Sequence, residues 1–432
     1  MCCCLGSVEL LVVGDSYWVE HTLKGVNMKK ILFISEAVTW SQVVRLAVLA
    51  RALDPRRYDV HFAAARFDER VFHDTNFTRW PITSVNPERV VESANSTQGW
   101  QLWTKEVLQK YVDEEMHLYE AIDPDLVVHD ARWSVPISAP AFGVPCATLV
   151  NAYWSRRTTR KYFPMPDHPL ARHPDRPFSV KYVLPAILSV TLRVCARPMN
   201  KLRRAYGLPK LGDMVDVMMW GDRVLFSDDP LITPLKELAP HETFLGPILW
   251  SPQVPLPDYW DELGRDRPMI YATPGSSGMA KTALLLLEAL GDVDADVVFS
   301  AAGRDRPNHV AQNIRVVDMI PGDLAARKAA VVVCNGGAST GYQALAEGTP
   351  VISIPSNIDQ MLAATAMKDA GTGIIVRQSL ATPEELRAAV ERVMHDERFT
   401  QAAQRVATSF ARFDPHARFR IVIDEVTTPA GA

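Results

Sequence analysis

Residues 331–376, VVVCNGGASTGYQALAEGTPVISIPSNIDQMLAATAMKDAGTGIIV, constrain what the chain can fold into more than any other stretch. Residues 331–334 are a short apolar run rich in β-branched side chains, the composition of a buried strand. The run meets Asn335-Gly336-Gly337, where glycine frees the backbone from Cβ clashes and lets a ligand approach closely. Ser339 and Thr340 stand where a helix N-cap is expected, with Gln343 and Leu345 opening the helix behind them. Gly348-Thr349-Pro350 stops that helix. Residues 351–354 read as a second buried strand, ended by Pro355-Ser356-Asn357 ahead of Asp359-Gln360.

A strand that runs through glycines into a helix start offers unpaired N–H groups and the positive end of the dipole to an anion. Asp359-Gln360 follows the next strand at the same edge of a parallel sheet, where α/β proteins bind ligands. Phosphate at the first loop and polyol hydroxyls at the second point to a nucleotide sugar. The first loop alone fits an ordinary βαβ unit with a glycine turn; the two loops together favour the ligand.

At 432 residues the chain is long enough for two domains, each with its own core. A hydrophobic content of 47% and a charged content of 22% are ordinary for a globular protein. A net charge of −4, with no long basic stripe, argues against a nucleic-acid binder. Prolines cluster at 164–177 and 247–268, which read as a loop and a linker. The six cysteines make no disulfide framework in a chain of this size. Cys146, Cys195 and Cys334 lie in apolar surroundings and read as free thiols of a reducing, cytoplasmic compartment. Cys2-Cys3-Cys4 matches neither a metal spacing nor a secretory signal. Palmitoylation is one reading of it; a dispensable tail, or a start site assigned too early, is favoured, because Met28-Lys29-Lys30 directly precedes the first strand. No run reaches the ~18 apolar residues that span a bilayer.

From Ile31 onward, short apolar runs alternate with helical patterns, which predicts parallel α/β sheets. Strands are expected at 31–34, 58–62, 126–129, 144–150 and 224–227, with helices at 41–53 and 100–121. Between Trp154 and Trp220 the rhythm stops. Residues 164–177 form a loop with His168 and His173 in no metal spacing. Residues 178–194 read as an apolar helix broken by Pro185, and 197–204 are basic, a pairing that suits weak membrane-surface contact through 178–204. After the linker, strands at 269–273, 296–302 and 314–317 begin a second sheet. Gly275-Ser276-Ser277-Gly278 is a second anion loop by the same helix-start logic, ahead of a helix at 282–290. Helices follow at 383–395 and 397–413, the latter crossing back onto the first domain.

These residues also resemble the donor signature of the family-one glycosyltransferases of GT-B fold, the group of macrolide, flavonoid and lipid glycosyltransferases. That pattern is roughly His-Gly-Gly-x-x-Thr-x-x-Glu-Ala-Leu-x-x-Gly-x-Pro, then Pro-x-x-x-Asp-Gln. The chain matches at Gly336, Gly337, Thr340, Ala344, Leu345, Gly348, Pro350, Pro355, Asp359 and Gln360. It departs at Asn335, where the family binds diphosphate with His, and at Gln343, where a Glu holds the ribose; both keep hydrogen-bonding capacity and lose charge or titratability. The resemblance implies two facing Rossmann-like domains with parallel sheets: an extra segment 1–27, an acceptor domain 28–246, a linker 247–268, a nucleotide-sugar domain 269–412 and a tail 413–432. It also favours reading 178–204 as helices roofing a lipophilic or aromatic acceptor pocket.

The donor contacts it implies are Ser276, Ser277, Asn335, Gly337, Ala338, Ser339 and Thr340 at the diphosphate, Ile320 and Pro321 at a pyrimidine base, Gln343 near the ribose, and Asp359 and Gln360 at the sugar. Trp250, Tyr259 and Trp260 are expected to pack at the hinge rather than on the base. No cofactor or metal is expected: the nucleotide sugar, UDP- or dTDP-linked, is a co-substrate, amide donors take the charge, and the acidic run Asp292, Asp294, Asp296 reads as a solvated strand start.

The catalytic positions are less regular. Aligning the first helix places Gln42 where the family has its catalytic His, and glutamine is no useful base near neutrality. Asp130 matches the family's orienting Asp, or is a strand-end cap. Three accounts remain open: Asp130 or His129 acts as base in a desolvated cleft, Glu36 reaches the same cleft, or the acceptor is a phenol or carboxylic acid that needs little help. Asp130 is the favoured base, and His129 reads as a core residue. The reaction expected is inverting sugar transfer to an acceptor hydroxyl; rivals are a nucleotide-sugar epimerase and a non-catalytic nucleotide-sugar-binding partner of another transferase.

Overall fold

The computed structural model describes residues 28–86, 103–160, 163–164, 184–276, 280–307 and 309–428. The extra segment 1–27, most of the loop 164–177, residues 178–183 and Ser277 lie outside the described residues. Strands β1 (Lys29–Ser35), β2 (Tyr58–Ala64), β3 (Thr78–Pro81), β4 (Leu126–Asp130), β5 (Cys146–Val150), β6 (Arg223–Phe226) and β7 (Glu242–Phe244) make one seven-stranded sheet, ordered β3-β2-β1-β4-β5-β6-β7. Strands β8 (Met269–Thr273), β9 (Asp296–Ser300), β10 (Ile314–Val317), β11 (Val331–Cys334), β12 (Val351–Ser353) and β13 (Gly373–Ile375) make a six-stranded sheet, ordered β10-β9-β8-β11-β12-β13. Every strand pair within the sheets is parallel. Helices cover both faces of such sheets, which is why the central strands are apolar runs rather than alternating ones.

Each sheet reverses its strand order once among the described strands, between β1 and β4 in the first and between β8 and β11 in the second. Loops diverge at such a switch point and leave a crevice at the strand ends. The register sets Ser35 beside Asp130 in one sheet and Thr273 beside Cys334 in the other, so Glu36 adjoins Asp130 and Gly275 adjoins Asn335.

The expected strands are all present, with small shifts at their ends. The edge strand β3 was not expected, since Thr78-Arg79-Trp80-Pro81 carries no apolar run; Pro81 is tolerated at the end of an edge strand. The helix expected at 100–121 is Lys105–Ile122, started by the Thr104 hydroxyl accepting from the Val107 N–H. Of the segment 178–194, residues 178–183 lie outside the described residues, and from Leu184 to Cys195 the chain is one helix that includes Pro185. Its Ile187 and Val190 are 52% and 57% exposed. Exposed Arg193, Arg197, Lys201 and Arg204 continue that side into the next helix, Arg197–Ala205. Among the described residues no helix is long and apolar enough to cross a membrane.

The chain's last crossing also differs from expectation. The helix Glu397–Phe410 stays with the second sheet, burying Ala403, Val406 and Phe410 against Tyr342 and its neighbours. A separate helix, Pro415–Thr427, crosses back instead, started by Asp414 as N-cap and Pro415 in its first turn. It buries Phe419, Val422 and Ile423 in the first core, with the Phe419 and Phe33 rings 6.0 Å apart. Arg57 and Tyr58 both bond to its Asp424. Aromatic burial therefore fastens the terminus to the opposite domain. Phe419→Ala is expected to destabilise the first domain by ~3–5 kcal/mol, the usual range for deleting a buried aromatic ring. Denaturant unfolding followed by tryptophan fluorescence checks this, and a shift under ~1 kcal/mol would mean that the helix contributes little.

Candidate functional site

At the second switch point β11 ends in Cys334, and Asn335 is buried beside the loop after β8. Its Oδ1 accepts the Gly337 N–H at 3.2 Å. A Cβ on Gly275 (φ +67°) would fall 2.7 Å from the Asn335 Nδ2, so glycine there lets the two loops touch. Gly336 has φ +77°, and a Cβ on it would meet Ser353 and Ala364 at 3.0 and 3.2 Å. The helix that follows is Ala338–Ala346, and its N-cap is Gly337, with no side-chain cap. Ser339 and Thr340 thus lie inside the first turn rather than at the cap. The first intrahelical bond is Gly341 N–H to Gly337 carbonyl, 3.1 Å. The N–H groups of Ala338, Ser339 and Thr340 precede it and have no helical acceptor. Ser339 is exposed, and Gly337, Ala338 and Thr340 are half-buried, so the helix start is not sealed by the chain.

The other expected donor residues divide into two groups. Ser276 is exposed beside this loop, and Asp359 is exposed at the next strand end. The Asp359 carboxylate accepts from the Tyr153 hydroxyl (3.1 Å) and the Trp154 indole (2.8 Å), both from the first domain. Gln360 does not share that position. It is buried, and its Oε1 accepts from the Ser356 N–H (2.8 Å) and hydroxyl (3.0 Å), shaping the loop. Gln343 is drawn to the linker, its amide donating to the Trp250 carbonyl and to the Ser251 hydroxyl (3.2 Å). Ile320 is a core residue and Pro321 is buried, so Ile320 presents no side chain for stacking. The hinge aromatics pack as expected: Trp250 lies 6.1 Å from Trp40, and Tyr259 and Trp260 join the second core. The acidic run pairs with arginines, Asp292 with Arg387 and Asp296 with Arg267.

Across the cleft, the first switch point is built on an ion pair that sequence reasoning missed. Arg45 of the helix Trp40–Ala50 clamps Asp130 with Nε and Nη2, at 2.7–3.0 Å, and its Nη1 donates to the Asn151 Oδ1 (2.6 Å) and the Ser227 hydroxyl (3.0 Å). Burial pushes Asp130 up to about 6, with Arg45 pulling against it, so the carboxyl is mostly ionised at neutral pH. The charge of Asp359 raises it further, as a smaller cause. Asn151 passes the network to Asp228 (3.2 Å), and Asp228 accepts from the Tyr342 hydroxyl of the second domain. Sequence signals existed: a lone Arg on the apolar face holding Val44, Leu46 and Leu49, and acids just past a buried strand.

The remaining base candidates are committed elsewhere. Gln42 completes a capping box: its Oε1 accepts the Val38 N–H (3.0 Å) and the Thr39 N–H (3.1 Å). At this position the structure shows a helix-start clamp rather than a group turned to an acceptor. Glu36 is buried against Arg132 (3.1 Å) and Tyr111 (3.1 Å), and burial raises its pKa. His129 is the expected core histidine: its Nε2 meets the Thr148 hydroxyl at 2.8 Å, and burial lowers its pKa to about 3. Of these candidates, Asp130 is the one whose pKa the charge of Asp359 raises. Arg45→Leu leaves Asp130 buried without its cation and is expected to cost ~3–5 kcal/mol of stability. The double variant Arg45→Leu/Asp130→Leu should recover part of that loss. Calorimetric melting of the three proteins measures it, and equal losses in single and double variants would show the pair to be unimportant.

Known proteins resemble this chain in sequence and in fold. The family model described as "Erythromycin biosynthesis protein CIII-like, C-terminal domain" matches residues 284–417. A PGL/p-HBAD biosynthesis glycosyltransferase of Mycobacterium tuberculosis is 41% identical over 384 residues, covering 88% of this chain and 89% of its own. A PGL/p-HBAD biosynthesis rhamnosyltransferase of Mycobacterium bovis is 38% identical over 386 residues, covering 89% of this chain and 85% of its own. In fold, spinosyn rhamnosyltransferase SpnG complexed with thymidine diphosphate matches with a TM-score of 0.67 at 18% identity, over 92% of this chain and 100% of its own. With the two switch-point crevices facing each other and relatives this close over most of its length, the chain belongs to the family-one glycosyltransferases of GT-B fold.

Proposed function

We propose that this glycosyltransferase is inverting and metal-independent, moving a sugar from a dTDP-linked donor to an acidic hydroxyl, preferably phenolic, of a lipophilic or aromatic acceptor. The observation that carries this reading is the uncapped helix start at Gly337, on the same strand edge as Asp359, which Tyr153 and Trp154 of the first domain approach. The diphosphate would lie on the N–H groups of Ala338, Ser339 and Thr340, beside Ser276 and Asn335. Preorganised amides of this kind stabilise the charge that develops on the leaving nucleotide. Asp359 would hold sugar hydroxyls, and backbone groups at Ile320 and Pro321 would meet the base.

The acceptor would enter from the first domain, opposite the leaving diphosphate, so a single displacement inverts the anomeric carbon. Asp130 is the base in this reading, ionised above about 6. Because Arg45 shares its charge, Asp130 is a modest base, which suits a phenol better than an alcohol. The rhamnosyltransferase relative and the thymidine diphosphate complex of a structural neighbour support a dTDP-linked donor. So does Gln343: its amide is held by the linker, and it lacks the charge with which a Glu grips a ribose diol.

Turnover of dTDP-rhamnose and UDP-glucose with a phenolic acceptor tests the donor. The thymidine donor is expected to win by about tenfold or more in kcat/KM, the discrimination that a hydroxyl-dependent contact can supply. A preference for UDP-glucose would overturn the donor assignment, and no transfer from either, despite nucleotide binding, would favour a binding partner over an enzyme acting on phenols. For the base, Asp130 gains its proton as pH falls through about 6, so kcat/KM should drop on that side. Asp130→Asn should remove this acid limb and lower kcat by about 10²–10⁴ with donor affinity intact. Unchanged turnover would move the base elsewhere.

A further inference from the structure

The cation absent at Asn335 has a counterpart one strand away. Past β9 the chain turns through Ala302 (φ +53°) and Gly303 (φ +80°), a left-handed pair that brings Arg304 over the loop after β8. Its Nη2 donates to the Ser276 carbonyl at 3.1 Å. Its Nε is buried without a hydrogen-bond partner. Among the described residues no carboxylate pairs with Arg304, whereas nearby Arg306 is held by Asp318 at 2.6 Å. Burial lowers the Arg304 pKa with nothing opposing it. A half-buried guanidinium with an unmatched donor and no counter-ion is costly unless an anion completes it.

The anion that fits is defined by position. Gly275, next to Ser276 in the chain, packs against Asn335, and Asn335 holds the Gly337 N–H at the open helix start. We infer that Arg304 binds the diphosphate of the nucleotide sugar, supplying from the end of β9 the positive charge that Asn335 does not. The planar fork of Arg pairs with two phosphate oxygens at once, which a neutral amide cannot do. Its charge is also permanent, so it neutralises the leaving nucleoside diphosphate at any working pH. This inference rests on the donor reading above and adds to it the residue that carries the charge.

Calorimetric titration of dTDP and dTMP into the full-length wild type, Arg304→Ala and Arg304→Lys tests it. Arg304→Ala should weaken dTDP binding about 10- to 100-fold, the range for removing a charge-assisted bond, with a smaller loss for dTMP. Arg304→Lys should recover part of the dTDP affinity. The inference is overturned if Arg304→Ala binds dTDP within about twofold of wild type. It is equally overturned if both ligands and the melting temperature fall together without recovery in the Lys variant, the mark of a structural arginine. If the wild type does not bind dTDP, the donor reading fails first and this one with it.

Discussion

The buried pair of Arg45 and Asp130 is the interaction on which the first half of the cleft depends. A guanidinium on a helix and a carboxylate at a strand end lose their hydration, and Coulomb attraction alone seldom repays that loss. The pair is tolerable because every remaining donor on Arg45 is used, by Asn151 and Ser227, while Asp130 takes two donors from one guanidinium. Four segments of the first domain are thereby pinned to one point. Through Asp228 and the Tyr342 hydroxyl the same network reaches the helix whose start faces the proposed diphosphate site.

That clamp changes how the departures from the family pattern read. Gln42 and Gln343, which depart from it, turn their amides to the backbone of a loop or linker, as does Gln360, which matches it, and each stabilises local geometry. A neutral amide costs less to bury than a charged group, so it can serve as a clamp close to a cleft. Charge then gathers on fewer residues: Asp130 and Arg45 on one side, Asp359 and Arg304 on the other. The electrostatics of the site are those of a few half-desolvated groups in fixed frames.

The two sheets have the same switch-point topology and opposite chemistry. In the first, the crevice presents a carboxylate held by a guanidinium. In the second, it presents uncapped amides next to a guanidinium that no carboxylate pairs with among the described residues. In the proposed reading, face to face they would separate a proton-accepting side from an anion-accepting side, the division that displacement at a sugar carbon requires. Phe419 and its neighbours reinforce the arrangement by tying the C-terminus to the first core.

The apolar runs, their spacing and the glycine loop determined most strands of both sheets and a helix that starts from that loop, because strand burial and helix-start chemistry are local properties. The Asp359 position was likewise legible from its place after a strand. What only the tertiary structure decided is which polar side chains remain available. Nothing in the neighbours of Gln343 or Gln360 along the chain announces their loop and linker partners. Arg45 meets Asp130 across 85 residues, and Arg304 meets Ser276 across 28. Whether a polar group serves a ligand or its own backbone depends on partners distant in sequence, and a linear pattern does not encode those distances.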